Sequence, residues 1–167
     1  MVPRTIYLER IRPFYNSPLI KVIVGVRRCG KSVLLQQIAS ELKNEAPSSQ
    51  LIFIDFDDYA NRHLLDPERL HEHIVSQMDK HPSQKVYLLF DEIQNVADFE
   101  LVVNSLNNTG RASIFLTGSN SKLLSGELAT KLGGRTLSFR MMPFNFREFL
   151  QFKEDELHPG VFGSHLD

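Results

Sequence analysis

Apolar and polar positions along the chain follow two alternating spacings. Short apolar runs occupy residues 21–24, 51–56, 85–90, 112–116 and 136–141. Their length and make-up predict strands buried on both faces. The stretches between them, 31–44, 67–80, 99–107 and 121–132, carry helical spacing. In the first, Leu34, Leu35, Ile38 and Leu42 fall on one face, which would lie against a sheet. Asp66 and Pro67 suit the N-cap and first turn of the second helix. Gly110 and the Gly133–Gly134 pair stand where helices should stop. Five strands alternating with helices predict an α/β fold, a parallel sheet with helices on both faces. Residues 1–20 read as a lead-in in which Pro3, Pro13 and Pro18 break any long helix.

The tail differs from the rest. Phe139, Phe144, Phe146, Phe149, Phe152 and Phe162 make up half of the 12 phenylalanines. Residues 144–152 read as a short helix with more apolar surface than one face can hide. Two readings stand: the segment packs back on the core, or residues 143–167 begin a lid or C-terminal domain that is truncated here. In the second case the aromatic segment would meet a protein partner or another copy of the chain.

Composition narrows the class. At 167 residues the chain has room for one domain with a true core. With 42% hydrophobic and 23% charged residues it reads as an ordinary globular protein. A net charge of −1 gives no general attraction to nucleic acid or to an anionic membrane. The single cysteine excludes an internal disulfide and suits a reducing compartment. No apolar run is long enough to span a bilayer, and the N-terminus is too charged for a signal peptide. A soluble cytoplasmic protein is the expectation.

Three stretches carry candidate chemistry. "GVRRCGKS", from Gly25 to Ser32, fits the phosphate-loop pattern Gly-x-x-x-x-Gly-Lys-Ser, after a strand and before a helix. Its glycines let successive N–H groups converge on phosphate oxygens, so Gly25, Val26, Arg27, Arg28, Cys29, Gly30, Lys31, Ser32 and Val33 are candidate nucleotide contacts. Lys31 can reach the β- and γ-phosphates, and the Ser32 hydroxyl can ligate Mg²⁺. Cys29, beside Arg28 and Lys31, would favour its thiolate and be reactive if exposed. Two strands on, "VYLLFDEIQ" ends an apolar run in Asp91 and Glu92. Asp91 would hold Mg²⁺ opposite Ser32, and Glu92 would act as general base on the attacking water. This acidic pair points to ATP hydrolysis, and no Asn-Lys-x-Asp guanine-reading motif occurs. Gln94 would position water or cap a turn. "SIFLTGSNSKLL" ends a strand in Thr117, Ser119 and Asn120. Ser and Asn are also leading N-caps, so a plain helix cap competes with any role for them at phosphate.

Other features read as bland. His71 and His73 flank Glu72, two positions apart on a helix, and face away from each other, so they cannot share an ion. Asp55, Asp57 and Asp58 read as solvated strand-end acids, on an edge strand distant from the loop.

Taken together, "GVRRCGKSVLL", "LLFDEIQNVADFE", "LTGSNSKLLSGELATKLGGRT" and "MPFNFREFL" resemble the AAA-superfamily ATP-binding proteins of bacteria and archaea that carry a C-terminal domain of unknown function. The similarity runs from Arg4 to Leu150. It implies a P-loop NTPase core over residues 21–142, ATP and Mg²⁺ as ligands, and a five-stranded sheet in the order 5-1-4-3-2. It also implies a phosphate-sensing tip, for which Ser119 is the better candidate and Asn120 the second. Arg135 in "GGRT" would be an arginine finger toward a neighbouring subunit, or else a solvated residue after a glycine cap. Family members are usually much longer, so neither the C-terminal domain nor a full lid is expected here. Two functions follow: a Mg²⁺-dependent ATP hydrolase, or a nucleotide-dependent switch with little turnover that could be a truncated remnant.

Overall fold

A computed structural model describes residues 4–119 and 126–143, together with Leu123, Leu150 and Lys153. Helix α1 (Thr5–Ile11) precedes β1 (Ile20–Gly25), α2 (Lys31–Glu45) and β2 (Gln50–Asp55). Then come α3 (Pro67–Asp79), β3 (Val86–Asp91), α4 (Phe99–Asn108), β4 (Ala112–Gly118), α5 (Gly126–Lys131) and β5 (Thr136–Met141). All strand pairs are parallel, in the order β2-β3-β4-β1-β5, the expected order read from the other edge. This is the P-loop NTPase fold. Asp66 caps α3 by accepting from the Arg69 N–H at 2.9 Å, ahead of Pro67. Gly110, Gly133 and Gly134 all have positive φ just past helix ends, as their positions in the sequence suggest. The expected helix over 144–152 and most of the aromatic tail lie outside the described residues.

The two-residue period of each strand divides the core. Val22, Val24, Leu88, Phe90, Ile114 and Leu116 face α3 and α4, meeting Leu70, Ile74, Phe99 and Leu106. The intervening Ile23, Leu89 and Phe115 face α2, meeting Leu34, Leu35, Ile38 and Leu42. Each such α2 side chain stabilises the fold by about 1.5–3 kcal/mol through burial alone.

Residues 1–20 are more than a lead-in. Leu8, Ile11 and Tyr15 are buried in the α2 layer. The Arg12 guanidinium grips both oxygens of Glu41 at 2.6 and 3.0 Å, and the Tyr15 hydroxyl donates to Glu41 at 2.7 Å. The prolines do limit helix length, since α1 ends ahead of a 3₁₀ turn containing Pro13. A seven-residue helix nevertheless suffices to cover one end of α2. No helix among the described residues is long and apolar enough to cross a membrane.

A buried pair of polar side chains, Lys21 and Ser113, interrupts the apolar layer. Lys21 of β1 is fully buried; its Nζ donates to Ser113 Oγ at 2.7 Å and to the Ser17 carbonyl at 3.1 Å. Ser113 passes its own proton to the Tyr15 carbonyl at 2.6 Å. Burial, and to a lesser degree the charge of Lys85, lowers the Lys21 pKa from 10.5 to about 7. Unfolded chains therefore hold a proton at Lys21 that folded chains have shed above that pH. Stability contributed this way is fully present above 10.5 and is lost as pH falls toward about 7. We expect the urea midpoint to climb between about pH 7 and pH 9, and Lys21→Met to flatten that climb. Equal slopes for the two proteins would refute the assignment.

Candidate functional site

Parallel strands end together at one edge of the sheet, and the loop from Gly25 to Gly30 crosses that edge between β1 and α2. Glycine is required at both ends of the loop. A Cβ on Gly25 would come within 2.5 Å of the Met141 carbonyl oxygen in the neighbouring strand. Gly30 has φ of 95°, where other residues are strained. Helix α2 starts at Gly30 without a side-chain cap, so its first-turn N–H groups stay available to an anion. Val26, Arg27 and Arg28 are exposed on the rim of the loop, Val33 is half-buried, and Arg28 itself has φ of 63°. The Lys31 ammonium is buried, donating to the Val26 carbonyl at 3.1 Å and lying 3.7 Å from Glu92 Oε1.

Cys29 departs from expectation. Its thiol is buried in the α2 layer and not exposed at the rim. The Arg4 guanidinium bonds the Cys29 carbonyl at 3.1 Å and the Met142 carbonyl at 2.7 Å, tying the loop to the chain just past β5. A thiol enclosed by apolar neighbours lacks the access that reactivity needs.

The two carboxylates differ in setting. Asp91, at the end of β3, is buried and hydrogen-bonded to the Ser32 and Thr117 hydroxyls. Burial raises its pKa from the ordinary value, and those two bonds only partly oppose the rise. Glu92 has a left-handed backbone with φ of 52° and ψ of 47°, and its N–H donates to Thr117 Oγ1 at 3.0 Å. Its Oε2 accepts from Ser119 Oγ at 2.7 Å and from Gln94 Nε2 at 2.5 Å. Burial raises the Glu92 pKa, but the bonds from Ser119 and Gln94 and the Lys31 charge outweigh it, leaving the carboxyl below its ordinary range. Asn120 lies outside the described residues.

Arg27, Asp57, Glu92, Gln94, Asn95 and Ser119 line a cavity of about 280 Å³ beside the loop. A larger hollow of about 420 Å³, lined by Lys85 and Arg111 among others, lies at the opposite end of the sheet, away from Lys31 and Glu92. The candidate residues Arg27, Glu92 and Ser119 sit at the smaller one. Asp57 corrects the sequence reading. β2 is the edge strand, but Asp55 pairs with Asp91, so the turn after β2 lands beside the turn after β3. There Asp57 Oδ1 accepts from Asn95 Nδ2 at 2.8 Å.

Arg135 is remote from this cavity. It precedes Thr136, which pairs with Ile20 at the start of β1, whereas Gly25 pairs with Met141. A six-residue strand spans roughly 17–20 Å, so Arg135 lies about that far from its own loop. Its side chain donates to Asn108 Oδ1 at 2.7 Å. His71 is likewise spoken for, at 2.9 Å from Ser105 Oγ.

Arg4 was not legible as a site residue, and Thr117 was legible only as one of three polar residues ending the fourth strand. Thr117 is a polar interruption just past the apolar run of β4, a usable signal once strand neighbours are known. Nothing in the spacing of residues 1–20 marks Arg4.

A family model described as an AAA domain matches residues 17–150. A protein of Haemophilus influenzae described as uncharacterised is 38% identical over 154 residues, covering 92% of this chain and 38% of that one. The chain thus spans well under half the length of that relative. Among solved structures, Cdc6p from Pyrobaculum aerophilum aligns with a TM-score of 0.65 at 14% identity, over 93% of this chain and 50% of that one. AMPPCP-bound DnaA from Aquifex aeolicus aligns with a TM-score of 0.60 at 20% identity, over 98% and 52%. Both share the fold of this chain. With the family model covering most of the sequence, the chain belongs to the AAA-domain family of nucleotide-binding P-loop proteins.

Proposed function

We propose that this chain binds ATP with Mg²⁺ and hydrolyses the β–γ phosphoanhydride bond. The observation that carries the reading is the Glu92 carboxylate, set in the cavity 3.7 Å from the Lys31 ammonium at the root of the loop. Lys31 would exchange the Val26 carbonyl and Glu92 for the β- and γ-phosphate oxygens. The uncapped first turn of α2 would take the remaining phosphate charge. The residues fit Mg²⁺: Ser32 and Asp91 offer hard oxygen donors side by side, and this ion ordinarily takes one or two protein ligands besides phosphate and water. Bound Mg²⁺ supplies neutralisation of the phosphate charge. Glu92, ionised and held by Ser119 and Gln94, would orient the attacking water and accept its proton. DnaA in its AMPPCP-bound form shares the fold, which supports an adenine nucleotide as the ligand.

Glu92→Gln keeps the hydrogen bonds but removes the base. Phosphate release should fall roughly 10²–10⁴-fold while ATP affinity is retained. Equal rates would eliminate Glu92 as the base. Arg135, too far to serve its own site, would act on a neighbour's nucleotide. Mixing Arg135→Ala with Lys31→Ala should restore turnover that neither variant shows alone; full activity of Arg135→Ala by itself removes the role.

A second reading, a nucleotide-dependent switch, is favoured by one contact set. Arg4 bonds the carbonyls of both Cys29 and Met142, and the Tyr7 hydroxyl accepts from the Met142 N–H at 2.9 Å. A shift of the loop on binding ATP would thus be felt where the chain leaves β5. Hydrogen exchange at the Met142 amide should change on adding ATP, and the change should vanish in Arg4→Ala. An amide blind to nucleotide in the native chain ends this reading.

A further inference from the structure

We infer that Thr117 is a positioning residue: its one hydroxyl, donating to the Asp91 carboxylate and accepting from the Glu92 N–H, sets the metal-binding and proton-accepting carboxylates in one geometry. The inference rests on the reading of Asp91 and Glu92 given above.

Thr117 is fully buried and does not line the cavity, so it acts through its neighbours. Its place follows from register. Phe90 pairs with Leu116, the last pair of the β3–β4 ladder, and the next residues on each strand are Asp91 and Thr117. There β3 leaves the ladder, because Glu92 turns to φ of 52°. The N–H of a residue so turned has left the strand pattern, and the Thr117 oxygen takes it at 3.0 Å. A hydroxyl has a single proton, and Thr117 gives it to Asp91. Both halves of the group are therefore spent, one on each acid. Asp91 is held from its other side by Ser32, and Glu92 by Ser119 and Gln94. Among the described residues, Thr117 alone hydrogen-bonds both. Without it, the turn carrying Glu92 loses its tie to β4, and the base loses its fixed distance from the metal ligand. Serine can make the same two bonds, whereas valine has the shape of threonine and can make neither.

Compare the native chain with Thr117→Val and Thr117→Ser, reading phosphate release across a Mg²⁺ titration and ATP affinity in EDTA. Thr117→Val should lower kcat about 10–100-fold and raise the half-saturating Mg²⁺, leaving metal-free ATP affinity within about twofold. Thr117→Ser should recover most of the loss. If valine behaves like the native residue in kcat and Mg²⁺ dependence, or if serine is as poor as valine, the proposal is overturned. A purely structural threonine would lower the melting temperature and spare kcat. Hydrogen exchange of the Glu92 amide in the native chain needs no variant: it should be slow, and exchange as fast as a free loop amide also overturns the proposal. That measurement holds if the native chain releases no phosphate at all, in which case the hydrolase reading fails and the clamp stands.

Discussion

Every group at the site depends on the parallel register of the sheet. Val24 lies beside Gly118, Phe90 beside Leu116, and Asp55 beside Asp91, so the central strands run out at one edge. Residues one or two positions past the ladder then stand side by side although they are far apart in sequence. That is how Asp91, Thr117 and Ser119 meet, with Gly25 and Lys31 across from them. Slipping one strand by a single residue would turn its apolar side chains out of one helical layer and into the other. The division of the core between α2 on one face and α3 with α4 on the other forbids it. Apolar packing is therefore what places the acids.

The site stores strain that this packing must hold. Glu92 and Arg28 both lie in the left-handed region, which costs of order 1–3 kcal/mol for each non-glycine residue. At Glu92 the opposing terms are visible. A neutral hydrogen bond returns about 1 kcal/mol and one to a charged group about 1.5–3 kcal/mol. The bond from the Glu92 N–H to Thr117 Oγ1 and the bonds from Ser119 and Gln94 together match the strain or exceed it. At Arg28 no comparable set exists among the hydrogen bonds of the described side chains. The loop there is held through its neighbours, by the Arg4 contact to Cys29 and the Lys31 contact to Val26. Glu92 is thus fixed locally, whereas the loop is fixed from below and from within.

How much of this was legible follows from the range of each interaction. Local signals carried far: the apolar runs yielded the strands, the Leu34–Leu42 spacing predicted α2, and Asp66 with Pro67 marked the start of α3. Gly25, Gly30, Lys31 and Ser32 were identifiable because the loop pattern is contiguous. Contacts that depend on strand order were not. Asp57 reaches the cavity because β2 neighbours β3, a fact its own surroundings in the sequence do not express. Cys29 reads as a thiol that is reactive if exposed, and only the fold shows that it is buried in the α2 layer. Lys21 sits within an apolar run, and only the fold shows that Ser113 and Ser17 share its burial.

The distribution of positive charge bears on how a reaction here would be completed. In its present position Lys31 is partly neutralised by Glu92, and moving it to phosphate would remove that partner from the base. The same displacement that binds nucleotide would therefore make Glu92 more basic, since one of the influences lowering its pKa is the Lys31 charge. Arg27 already lines the cavity with Glu92 and Ser119, so it can add charge within the same chain. Arg135, at the far end of β5, can do so only for another chain. These two sources differ in kind. Turnover supported by Arg27 is indifferent to protein concentration, whereas turnover needing Arg135 rises with it. Arg27 is in place without any assembly, so a neighbouring chain's Arg135 would add to charge that the cavity already holds.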